Sequence, residues 1–274
     1  EKYYGSLEKL NDSIGMKIAF VGDSFCSEFH PDGWDYSPNA TELNKNNFDY
    51  DDQGYKAWTQ LLVEHYQATA IQKGIPGDCF FHAYQRLLPV IDEADLVIIC
   101  VSQPERLANR LLEPMSLWAA ERGTGFLAGS DNLKTLYKAS LDYYKHIFSS
   151  DFHMISHLGI LRALDDLLLT KNKKCIWFGS FENSFGDVDD DSINDVIRKS
   201  LPYVVRSGVH GSCPLISIAE KTNTVDNMPK IPRSNHFNEQ QSKLFFQYIC
   251  GIIDNHLEKP VGKQMDFLLE GRRS

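Results

Sequence analysis

Apolar residues recur along this chain in two periods, and the alternation between them predicts an α/β architecture. Lys17 to Val21 is a short apolar run broken by Gly22-Asp23-Ser24, the pattern of a buried strand that ends in a turn. Glu28 to Gly54 is polar and rich in Asn, Asp and Tyr, which predicts a surface insertion. Helical spacing over Tyr55 to Tyr66 leads to a short strand near Gln67 to Ile71, the turn-rich Lys73 to Asp78, and a further helix over Cys79 to Leu88. Asp95 to Val101 is continuously apolar, as a central parallel strand buried on both faces would be, and Ser102-Gln103-Pro104 ends it.

Helical periodicity returns over Leu133 to Phe148 and Met154 to Thr170, ahead of another buried strand at Lys174 to Phe178 closed by Gly179-Ser180. Leu215 to Ala219 reads as the last strand, and Asn238 to His256 as the last helix. Strands alternating with helices predict a three-layer α/β/α sandwich around a mostly parallel sheet of at least four strands. At 274 residues the chain suits one large domain: an extension over 1–15, a domain over 16–258 with an insertion at about 28–54, and a tail over 259–274.

Charge narrows the function classes. A formal net charge of -9, with no run of Lys or Arg, disfavours a nucleic-acid partner held through its phosphates. No apolar stretch approaches the roughly 20 residues that span a bilayer, so no membrane span is expected. The expected compartment is cytoplasmic or otherwise soluble, with secretion open if a signal has been removed. Six scattered cysteines without CxxC spacing read as reduced thiols. The acidic cluster Asp187 to Asp191 lacks EF-hand spacing, and His153 and His157 stand four apart without the glutamate of His-Glu-x-x-His. Neither GxGxxG nor GxxxxGK[ST] occurs, so no cofactor is expected, and neither the acidic cluster nor the histidine pair predicts a metal site.

The candidate chemistry lies at the strand ends. Gly22-Asp23-Ser24 sets a serine just past the first strand, at the edge where open parallel sheets build sites, with its own amide able to face the same pocket. Ile75-Pro76-Gly77-Asp78 follows the second strand, with Asp78 placed to cap the next helix. Ser102 and Gln103 follow the third, offering a hydroxyl and a carboxamide donor. Ser234-Asn235-His236-Phe237 brings a late histidine just before the last helix, and a serine hydroxyl needs such a base.

In this order the segments resemble the four blocks of the SGNH (GDSL-type) hydrolases, from Lys17 to about His256. The resemblance implies that Ser24 is the nucleophile and His236 its general base. It further implies an oxyanion hole from the amides of Ser24 and Gly77 and the side chain of Gln103, which replaces the family's asparagine. The family's aspartate three residues before the histidine is Arg233 here, so Asp226 or a backbone carbonyl is the candidate orienting acceptor. The implied substrates are small acyl esters, often acetyl groups on carbohydrates, and the aromatic residues of the insertion can wall a sugar. The rival reading is a catalytically silent module of the same fold that binds a glycan or a protein partner.

Overall fold

The computed structural model describes residues 15–27, 56–75, 77–109, 115–117, 120, 131–181, 184, 206–211, 215, 237, 239–256 and 264–265. Strand β1 (Lys17–Gly22) runs into a 3-10 turn (Ser24–Cys26), followed by helix α1 (Trp58–His65) and strand β2 (Thr69–Gln72). Helix α2 (Phe80–Leu87) and strand β3 (Leu96–Val101) come next, then helices α3 (Asp131–His146) and α4 (Ser150–Thr170). Strands β4 (Lys174–Gly179) and β5 (Val209–Gly211), helix α5 (Glu239–His256) and strand β6 (Gln264–Met265) complete the order.

The strands form one sheet in the order β2-β1-β3-β4-β5-β6, and every neighbouring pair is parallel. Parallel sheets need cover on both faces. Ile18, Phe20, Ile98, Cys100, Ile176 and Phe178 point to one face, where α1 and α5 pack through Trp58, Leu62, Phe245, Ile249 and Ile252. Ala19, Val21, Val97, Ile99 and Trp177 point to the other, against Phe80 and Leu87 of α2 and Leu161, Leu164 and Leu168 of α4. This is a three-layer α/β/α sandwich, and β3 at its centre is buried along its whole length.

Sheet order also contains a switch point. From β1 the chain moves to one side for β2 and to the other for β3, so the order reverses between β1 and β3. Open α/β sheets bind ligands beyond the carboxyl ends of the strands at such a switch point. The loops after β1 and β3 flank it here.

Two elements differ from the sequence pattern. The fifth strand is Val209–Gly211, upstream of the Leu215 to Ala219 run expected to close the sheet. Gly208, at a φ of +71°, lies where a Cβ would come within 2.1 Å of the Cys175 carbonyl oxygen, so only glycine lets this strand pass so close to β4. Leu215 itself is helical, and 216–219 lie outside the described residues. Gln264–Met265, in the segment beyond residue 258, pairs with β5 as a sixth strand. Among the described residues no helix is long and apolar enough to cross a membrane.

Candidate active site

Ser24 is the first residue of the 3-10 turn that follows β1. Gly22 makes that turn possible: its φ is +144°, and a Cβ there would stand 2.1 Å from the Cys100 carbonyl oxygen of β3. The turn is fixed from several sides. The Asp23 carboxylate accepts from the Phe25 amide at 3.1 Å and from the Ser180 hydroxyl, beyond β4, at 3.0 Å. The Trp58 indole of α1 donates to the Phe25 carbonyl at 2.6 Å, and the Ser27 hydroxyl donates to the Ser24 carbonyl at 3.0 Å.

Asp23 is completely buried. Burial pushes its carboxyl above the usual range, and the Arg106 guanidinium, 3.3 Å away, pulls in the opposite direction. Cys26, in the same turn, is a buried free thiol whose pKa burial drives well up, with Cys100 adding to the effect. A thiol held neutral is a poor nucleophile.

The segment after β2 lies directly against the turn. The Gly74 amide donates to the Cys26 carbonyl at 3.2 Å and the Ile75 amide to the Gly22 carbonyl at 3.1 Å. A Cβ on Gly74 would meet the Cys26 sulfur at 2.4 Å and the Asp23 carbonyl oxygen at 2.6 Å. Gly77 has a φ of +77°, and the Asp78 amide closes the turn on the Ile75 carbonyl at 3.1 Å, the arrangement that calls for glycine at its third position.

Asp78 does not cap α2, as the sequence suggested; Cys79 occupies the cap position. The Asp78 carboxylate is instead committed to His82 Nδ1 at 3.0 Å and to Arg86. His82 Nε2 lies 3.0 Å from the Asn109 amide nitrogen and 3.1 Å from the Asn109 carbonyl oxygen. Asp78, Cys79 and His82 bring their ligand atoms within 4.8 Å of one another. With Arg86 on the carboxylate and both ring nitrogens engaged, the group is a hydrogen-bonded network that braces the Gly77 turn.

Beyond β3, Ser102 is fully buried and its hydroxyl has no hydrogen-bond partner among the described residues, whereas Gln103 is half-buried. Gln103 is thus the more accessible donor of the two. Its carbonyl accepts from the Arg106 amide at 3.4 Å. The His153 and His157 pair is engaged separately: Tyr143 meets His153 at 2.8 Å, and His157 Nε2 donates to the Ser184 carbonyl at 2.9 Å.

The structure brings the loops bearing Ser24, Gly77 and Gln103 to one sheet edge and ties them together. His236, Asp226 and Arg233 lie outside the described residues, as do the 28–54 insertion and the Asp187 to Asp191 cluster. Phe237 is described. Its buried ring packs edge-on against Phe25, with centroids 5.7 Å apart. Two residues that the sequence did not single out, Arg106 and Ser180, hold Asp23; an arginine three positions past Gln103 was the one signal available.

These features define an open parallel α/β sandwich with a serine-bearing turn beside its switch point. No family model and no curated relative matches the chain. Among solved structures it is similar to the acetyl xylan esterase AlAXEase, at 14% identity over 87% of this chain and 100% of the other, with a TM-score of 0.41. It is also similar to a protein described as a putative GDSL-like lipase from Parabacteroides merdae ATCC 43184, at 15% identity over 86% of this chain and 96% of the other, with a TM-score of 0.41.

Proposed function

We propose that this chain is a serine hydrolase of the SGNH type that cleaves small acyl esters, including acyl groups carried on carbohydrates. In this reading the Ser24 hydroxyl oxygen bonds to the ester carbonyl carbon while His236 takes its proton. The carbonyl oxygen becomes an oxyanion that the amides of Ser24 and Gly77 and the carboxamide of Gln103 stabilise. Collapse of that intermediate breaks the carbon–oxygen bond, and the departing alcohol takes the proton from the imidazolium. Water, activated by the same base, then releases the acid from Ser24.

The observation that carries the reading is the contact between Phe25 and Phe237, the residues that follow the proposed nucleophile and the proposed base. The two residues come from opposite ends of the sequence, and they meet beside the switch point. Asp226 or a backbone carbonyl serves to orient the imidazole, since that role is not bound to one sequence position. The test is turnover of a chromogenic acetyl ester by the full chain, with Ser24→Ala and His236→Ala as controls. Hydrolysis that either substitution leaves intact would refute the assignment; no hydrolysis by the unsubstituted chain would favour a silent binding module.

A further inference from the structure

Arg106 stands out among the described residues as a cation buried inside the site, with a side chain 9% exposed. Its Nη1 donates to two loops at once, to the Asp23 carboxylate at 3.3 Å and to the Asp78 carbonyl at 2.9 Å. Its guanidinium carbon lies 5.0 Å above the Phe181 ring, in the segment after β4, and Phe181 packs in turn on Phe25. Its own amide donates to Gln103. One side chain thus meets the segments after β1, β2 and β4 from its seat after β3.

Those contacts fall beside the residues that the reaction would use. Asp23 precedes Ser24, Asp78 follows Gly77, and Gln103 is three positions before Arg106 itself. We infer that Arg106 is a positioning residue that sets the Ser24 hydroxyl and the oxyanion-hole donors in register, a role that rests on the hydrolase reading above. Asp23 is fully buried, and the hydrogen bonds it accepts from Phe25 and Ser180 suit a charged carboxylate. Without Arg106 that carboxylate loses its counter-charge inside the fold. It must then take up a proton or open toward water, and either change moves the turn that bears Ser24. A displacement of about 1 Å at a reacting group costs on the order of 100-fold in rate.

The experiment is the rate at which a fluorophosphonate labels Ser24 in the full chain, followed by intact mass and peptide mapping, for the unsubstituted protein, Arg106→Ala and Arg106→Lys. Arg106→Ala should label roughly 100-fold more slowly, and millimolar guanidinium, which fits the space vacated, should raise its rate several-fold without accelerating the unsubstituted chain. Arg106→Lys keeps the charge but loses the planar group over Phe181, and should fall roughly 10-fold with a cooperative melt retained. Labelling of Arg106→Ala at the unsubstituted rate, or a slow rate that guanidinium does not raise, overturns the proposal. If Arg106→Ala does not fold, Arg106→Lys decides, and an unchanged rate there overturns it. Failure of the unsubstituted chain to label at Ser24 overturns the hydrolase reading itself, and the role of Arg106 with it.

Discussion

The rings of Phe25 and Phe237 meet edge to face with centroids 5.7 Å apart, although 212 positions separate them in sequence (237 − 25). Both are buried, and Phe245 of α5 packs on Phe237 from behind at 5.1 Å. The start of α5 is therefore anchored to the turn that carries Ser24.

Removing that anchor should affect both stability and rate. Phe237→Ala deletes a buried aromatic ring and should cost about 3–5 kcal/mol of unfolding free energy, read from the urea midpoint. Phe237→Leu should lose less. If the contact holds the residue before Phe237 against the Ser24 turn, kcat for ester hydrolysis should fall in the same order, alanine below leucine. A kcat unchanged in Phe237→Ala would disconnect this ring pair from catalysis.

Gln103 tests the oxyanion hole. If its carboxamide donates only to the transition state, Gln103→Ala should lower kcat by roughly 10- to 1000-fold while KM stays nearly constant. A raised KM at constant kcat would make Gln103 a ground-state substrate contact. The buried hydroxyl of Ser102 would then be the next donor to substitute.

His157 supplies a pH dependence independent of catalysis. Burial lowers its pKa from 6.5 to about 4 because the core disfavours the charged ring, and the hydrogen bond to the Ser184 carbonyl only partly opposes that shift. The unfolded chain therefore binds a proton that the folded chain refuses between those two values, and stability is lost as pH falls from about 6.5 toward about 4. The full loss from this site is on the order of 3 kcal/mol. His157→Gln, which keeps an N–H donor without a titrating ring, should flatten that part of the stability–pH curve. A slope equal to that of the unsubstituted chain would assign the acid sensitivity to other groups.

Much of the layout was legible because the core elements carry strong periodic signals. β3 is an unbroken apolar run buried on both faces, and α1, α2 and α4 lie within a few residues of the predicted spans. The positions of Ser24 and Gly77 followed from turn chemistry, since glycine marks where a chain must adopt positive φ or pass close to a neighbour. β5 was not legible, because three residues held by pairing to β4 leave no pattern of their own. The Arg106 bridge and the Asp78–His82–Arg86 network escaped for a different reason. They depend on which segments meet in space, and neither Arg106 in its loop nor His82 and Arg86 on α2 has an apolar period that shows its partner. Asp78 reads as a helix cap in sequence until Arg86 and His82, two turns and one turn further along, turn out to take its carboxylate.

In the proposed reaction Ser24 becomes acylated during ester hydrolysis. This step is tested most directly by quenching the full chain with acid during turnover of an activated acetyl ester and mapping the added mass by peptide fragmentation. A single acetyl group should appear on Ser24, disappear as the ester is exhausted and never form in Ser24→Ala. Ester consumption with no adduct, or with the adduct on another residue, would contradict the proposed step.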